Sequence, residues 1–333
     1  MGYRLHLAKG WLALPKSASY KDAHMVVKRN HFVPQVYLRG FCNSERRLWV
    51  YDSLQGKVWE SDPGSVAYEK NLYAVELPDG SVDCETLEKT FGSVETRFPV
   101  FRDKVNSFST ISGEHSYTFI TFLALTRLRN PQFAKGIKAN ERFNEAVWQN
   151  RIWSDPVIIE KAWKKANETL GLNYSYEEFL TRAKFDVRGL LPKTEKECLF
   201  IALYGLEKLI EELCVRLSWS FLNTGPEEPF VTSDNPFIWV DPLSPIVDFE
   251  LGLNVPSQWI EIIMPISPTI TAIGTRGGPK TYFGLPDGVC EQLNLLTIRN
   301  ACRFVYASFR SERLLEQVTR SGNGPESARP SFG

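Results

Sequence analysis

The side chains best suited to chemistry stand in three short stretches. In HFVPQVYLRGF, His31 and Arg39 flank apolar residues. Imidazole titrates near neutral pH and guanidinium grips phosphate or carboxylate with a fork, so the pair suits a general base or ligand beside an anion clamp. The structural alternative is that both border a buried element and make local hydrogen bonds. In FVTSDNPFIWV, residues 230–240, Ser233, Asp234 and Asn235 crowd the end of an apolar run. A rigid sheet aims such a loop, and Asp234 could orient His31 or hold a metal. Equally, Asp and Asn before Pro236 can build a plain turn through side-chain-to-backbone bonds. Glu88 and Glu95 lie seven residues apart on a predicted helix and project from nearly the same side. They read either as two acids facing a cleft, suited to divalent-metal or acid/base work, or as two solvated carboxylates.

Several other chemistries lack their patterns. There is no G-x-x-x-x-G-K-[ST], no G-x-G-x-x-G after a strand and no G-x-S-x-G. GTRGGPK (274–280) has glycines and two cations, but no helix follows to complete a phosphate loop. RLRNP (127–131) closes an apolar helix, whose negative end favours its arginines without any ligand. The histidines are His6, His24, His31 and His115, and His31 alone has a motif-like setting. Cys42, Cys84, Cys198, Cys214, Cys290 and Cys302 form no C-x-x-C pair and no zinc spacing, so they read as reduced, packed thiols. Lysine plus arginine (39) balances aspartate plus glutamate (39), which removes bulk attraction to nucleic acid or membrane. The apolar run YTFITFLALT (117–126) is too short to cross a bilayer, and Lys9 and Gly10 break any signal-peptide core. The expectation is a cytoplasmic protein without a membrane partner.

The elements that must position these groups follow from periodicity. Residues 1–24 show none and read as a flexible arm or start-site extension; 321–333 read as a disordered tail. Between them, 25–320 is expected to be one α+β domain, β-rich over 25–80, helical over 84–222 and β-rich with one helix over 226–310. RRLWVYDSLQGKVWES alternates around Leu54–Gly56, a hairpin signal, and KNLYAVELPDGSVD adds a strand and a Pro-Asp-Gly turn. Leu87, Phe91, Val94 and Phe98 step as a helix face that Pro99 bends or ends. EHSYTFITFLALTRL (114–128) predicts a buried helix. Further helices are predicted near 132–150, 155–170 and 175–185, with a long one over about 194–222 that opens with Thr194 and Glu197 at capping-box spacing. The N-terminal and C-terminal strands are expected to share a mixed or antiparallel sheet, with the helical region between them.

Taken in order, NHFVPQVYLRGF, LWVYD, LEKTFGSVE, RLRNP, FVTSDNPF, IIMPISP and LNLLTIRNACRFVYAS resemble the family called domain of unknown function 4238. The resemblance covers about residues 28–308, departs mildly at Ile266 in PISP, and leaves 132–190 unmatched. It implies that His31, Arg39, Glu88, Glu95, Arg129, Ser233, Asp234 and Asn235 fall on family motif positions, and it implies no activity. Polar residues in separate motifs are easiest to understand if the fold gathers them. The expectation is then a cleft that hydrolyses a phosphate ester, as a metal-dependent phosphodiesterase or nuclease would, with a divalent metal. His31 would serve as base or ligand, Asp234 as its orienter or a metal ligand, and Glu88 and Glu95 as acids on one wall. Arg39, Arg129, Ser233 and Asn235 would contact substrate. The rival is a non-catalytic module whose motifs are structural and whose aromatic-rich surface binds a protein or nucleic acid.

Overall fold

A computed structural model describes residues 28–76, 82–83, 85–139, 155–171, 173–182, 194–240, 259–278 and 282–322. Packing divides these into two compact units. One is built from the residues up to Arg127 and from Glu207 onward; the other runs from Leu128 to Leu206.

The first unit starts with strand β1 (Arg29–His31), a short helix α1 (Gln35–Leu38) and a 3-10 turn over Arg39–Phe41. His31, Gln35 and Arg39 join side by side through side-chain hydrogen bonds, while Val33, Tyr37, Leu38 and Phe41 are each 0 % exposed. The spacing of four therefore sorts one mixed segment into a polar side and an apolar side. Gly40 follows because the Arg102 guanidinium crosses it: a Cβ there would stand 2.7 Å from Arg102 Nη1. That Nη1 donates to the Val36 carbonyl at 2.8 Å. Gly40→Ala should displace the bond and lower stability by about 1 kcal/mol. In an Arg102→Ala background the same change should cost nothing more, which urea unfolding of the four proteins would show.

Next come β2 (Leu48–Asp52) and β3 (Lys57–Ser61), the predicted hairpin, in register from Leu48↔Ser61 to Asp52↔Lys57. Its turn is closed by Asp52, whose Oδ1 accepts the amides of Leu54 and Gln55, and by Gly56 at φ +61. Strand β4 (Tyr68–Lys70) pairs antiparallel with β1, and β5 (Val75–Glu76) with β6 (Val82–Asp83). The Pro-Asp-Gly turn expected between the last two lies outside the described residues.

The helix face read from Leu87 to Phe98 is divided between α2 (Thr86–Glu95) and α3 (Phe98–Asn106). Pro99 stands in the first turn of α3, where its missing N–H would have had no helical partner. The buried helix α4 (Gly113–Leu128) appears as predicted.

In the second unit, α5 (Pro131–Ala139) packs on α8 (Glu195–Tyr204), and α6 (Pro156–Leu170) on α7 (Tyr176–Arg182). Thr194 and Glu197 form the expected capping box. The single helix read over 194–222 is corrected. It stops at Gly205, resumes as α9 (Leu206–Arg216), and gives way to strand β7 (Ser218–Asn223). Trp219, Phe221 and Leu222 favour an extended pleat that is buried on both sides, and sheet pairing overrides local helical tendency.

The remaining elements of the first unit are β8 (Thr232–Ser233), β9 (Ile238–Trp239), β10 (Ile260–Ser267), β11 (Ile270–Thr275), β12 (Tyr282–Gly284), α10 (Val289–Asn300), β13 (Phe304–Ala307) and α11 (Glu312–Gly322). The order β12-β7-β11-β10-β9 makes a mixed sheet, since β12 alone runs parallel to its neighbour. The order β3-β2-β13-β8 makes an antiparallel one. N-terminal and C-terminal strands thus share a sheet in an α+β fold, as the sequence indicates.

One face of the mixed sheet packs Leu222, Ile238, Ile263 and Ile273 against Val289, Leu293 and Leu296 of α10. Its other face receives aromatic rings: Phe119 sits edge-on to Trp219, and Phe101 lies 5.8 Å from Phe221. Gly274 is explained here, because Trp219 and Leu217 already fill the space where a Cβ would stand. Among the described residues, no helix is long and apolar enough to cross a membrane.

Candidate functional site

Asp234 is aimed by the pairing of β8 with β13, Ser233 lying opposite Val305. One carboxylate oxygen accepts the Cys302 amide at 2.7 Å, and the other accepts those of Arg303 and Phe304 at 2.9 Å each. The Asp234 amide donates to the Phe304 carbonyl at 2.9 Å. The residue is 4 % exposed. Burial pushes its carboxyl up to about 6, against the downward pull of the same three amides.

Its neighbours in SDNP are engaged in the same way. Ser233, at 0 % exposure, accepts the Asn235 amide on its hydroxyl at 3.2 Å. Asn235 and Asn300 bond reciprocally: Asn235 Nδ2 donates to the Asn300 carbonyl at 3.0 Å, and Asn300 Nδ2 to the carbonyls of Asn235 and Phe237 at 2.7 and 3.0 Å. One turn and a half earlier on α10, Asn294 accepts the Val231 amide and donates to the Pro229 carbonyl. The segments 229–237 and 294–304 are therefore stitched together by asparagine side chains and one aspartate.

His31 occupies a different setting. Its Nε2 lies 3.3 Å from the Gly64 carbonyl and its Nδ1 3.3 Å from Gln35 Nε2. A carbonyl only accepts, so Nε2 carries the proton and Nδ1 accepts from the Gln35 amide. Gln35 Oε1 in turn takes Arg39 Nη2 at 3.1 Å. The Tyr68 ring stands 5.7 Å from the imidazole, and Arg29 lies 4.9 Å over Tyr68.

Glu88, in the first turn of α2, accepts from Asn30 Nδ2 at 2.7 Å and ties that helix to β1. Glu95 is the last residue of the same helix, so the two acids stand at opposite ends of it, about 10 Å of rise apart. Arg129 belongs to the second unit and is 1 % exposed; beside it Asn130 caps α5 by accepting the Gln132 amide. Among the described residues, no group of three or more His, Cys, Asp or Glu is gathered to hold a metal ion.

The structure therefore brings together Ser233, Asp234 and Asn235 on the strands around β13, and His31 with Arg39 through Gln35. Sequence reasoning missed other participants. Tyr37 donates to the Pro265 carbonyl at 2.7 Å and bonds Thr232 Oγ1 at 2.7 Å. Arg127, nearly buried, lies 5.2 Å over the Phe237 ring. Asp52, 1 % exposed, holds Arg303 through both oxygens. Asn294 and Asn300 did leave a signal, since asparagine is a poor residue for a helix unless its side chain has a backbone partner.

No curated protein and no solved structure matches the chain. The family model described as "Protein of unknown function (DUF4238)" matches residues 29–311. That span runs from β1 to the residue before α11, and the chain belongs to the DUF4238 family.

Proposed function

We propose that this protein is a non-catalytic binding module whose polar motifs are structural fasteners. The observation that carries the reading is the engagement of the two groups that hydrolysis would need. Both Asp234 oxygens are held by the amides of residues 302–304, and both His31 ring nitrogens by Gly64 and Gln35. A general base must keep a lone pair for the substrate's proton, and an orienting carboxylate must reach the imidazole. These partners favour a structural role for both groups. A cytoplasmic setting fits Cys42, Cys198, Cys214 and Cys290, which are free thiols.

A second reading, hydrolysis of phosphate esters or nucleic acid with a divalent metal, is favoured by one observation. A carboxyl lifted to about 6 is poised for proton transfer near neutral pH. The two readings part on a direct assay. The wild-type chain is incubated with an activated phosphodiester and with single- and double-stranded nucleic acid, with magnesium or manganese added. The binding-module reading expects no turnover, and a His31→Ala protein that folds normally. Turnover that His31→Ala abolishes while leaving the melting temperature unchanged would instead establish the hydrolase.

A further inference from the structure

The antiparallel sheet β3-β2-β13-β8 has two unlike faces. One carries Tyr51, Val305 and Ala307, covered by Ile298 of α10 and by Leu314 and Val318 of α11. The register places Trp59, Val50 and Tyr306 in one row of the opposite face, and Lys57, Asp52 and Phe304 in the next. Val50 and Tyr306 are buried there, but the outer strand is not: Trp59 is 40 % exposed and Lys57 is exposed. Trp59 and Phe304 meet edge to face with centroids 6.1 Å apart. The Arg303 guanidinium lies 4.7 Å over Phe304, held by the buried Asp52 through Nε and Nη2. Its Nη1 has no hydrogen-bond partner among the described residues, and its side chain is 37 % exposed.

We infer that Trp59, Phe304 and Arg303, with Lys57 beside them, form a docking platform for single-stranded nucleic acid. The inference rests on the binding-module reading and names its partner. An indole with an open side offers a stacking surface for an unpaired base, whatever its sequence. A guanidinium locked in orientation by a carboxylate presents its remaining donors to a phosphate, and Lys57 adds a mobile cation one step along the strand. The nearby acids do not oppose this charge: Asp52 is buried and neutralised by Arg303, and Glu60 follows the other face of β3, where Asn43 holds it. An acidic peptide could use Lys57 and the remaining Arg303 donors, but it meets the ring only where it carries an aromatic residue, whereas every nucleotide brings a phosphate and a planar base together. The overall charge of zero is compatible, because a local cluster and not the bulk makes the contact.

The test is fluorescence anisotropy of the full chain with a labelled mixed-sequence single strand, as RNA and as DNA, and with the corresponding duplex. Binding should favour the single strand. Trp59→Ala should weaken it about tenfold, with Trp59→Phe restoring most of the loss. Lys57→Ala should reduce the slope of log affinity against log salt by about one. Arg303→Lys, which keeps a cation on Asp52 but removes the fork, should also weaken binding. Unchanged affinity in a folded Trp59→Ala protein overturns the platform, and so does equal affinity for the duplex. Displacement by an acidic peptide as effective as by oligonucleotide assigns the surface to a peptide and also overturns it. If no oligonucleotide binds at all, the platform falls, while the binding-module reading is judged separately by the turnover assay.

Discussion

Asp234→Ala is expected to lower the free energy of unfolding by about 3 kcal/mol at neutral pH. The alanine removes the acceptor of the Cys302, Arg303 and Phe304 amides, and each buried amide left without a partner costs about 1–3 kcal/mol. Part of that loss is offset, since the variant no longer buries a carboxylate. Urea unfolding measures the total, and hydrogen exchange at the three amides locates it. Unchanged protection there would show that the strand start is held by something else.

The same carboxyl should leave a signature in pH. Its folded pKa, about 6, lies above the ordinary 3.8, so the folded state holds the proton more tightly than the unfolded chain does. The resulting stabilisation is fully present below about pH 4 and is lost as pH rises through about 6. A shift of that size corresponds to about 3 kcal/mol. Subtracting the unfolding free energies of Asp234→Asn from those of the wild type between pH 4 and 7 isolates the contribution of this group. The difference should shrink toward neutral pH; a difference that grows would mean that the three amides outweigh burial.

Phe98→Ala is the second large effect, expected to cost about 3–5 kcal/mol. Phe98 is 0 % exposed and stacks on Phe122 at 3.8 Å and 17°. It also lies 6.0 Å from the ring of Tyr37 and 5.9 Å from that of Phe101. Removing it opens a cavity where α1, α3 and α4 meet, and rigid stacked rings close such a void poorly. Phe98→Leu should recover more than half of the loss. Equal destabilisation by both variants would point to the ring geometry, and not the volume, as the larger contribution.

The hairpin of β2 and β3, the capping box at Thr194, the buried helix α4 and the β-rich character of residues 226–310 were all legible because their signals are local. Alternation, a cap three residues from its partner and an unbroken apolar run each reside within a few turns of chain. Misreading β7 as helix had a physical cause as well. The stretch 206–216 is a good amphipathic helix, and only the neighbouring strand β11, about fifty residues on, makes extension the better state for Ser218–Asn223.

The candidate site divides along the same line. Polar residues at family motif positions could be picked out singly, but it took helix α1 to set His31, Gln35 and Arg39 side by side. What the motifs do for each other could not be read. Asp234 meets the amides of residues 302–304, Asn30 meets Glu88 and Asp52 meets Arg303 across 58 to 251 residues of chain. A polar side chain looks the same in sequence whether its partner is a substrate or a backbone amide. By itself the sequence determined the α+β class, the local elements and the family, since these follow from short-range periodicity and motif order. The tertiary structure alone decided which polar groups are satisfied from within, as Asp234 is by the amides of residues 302–304, because that depends on contacts closed only when distant segments pack.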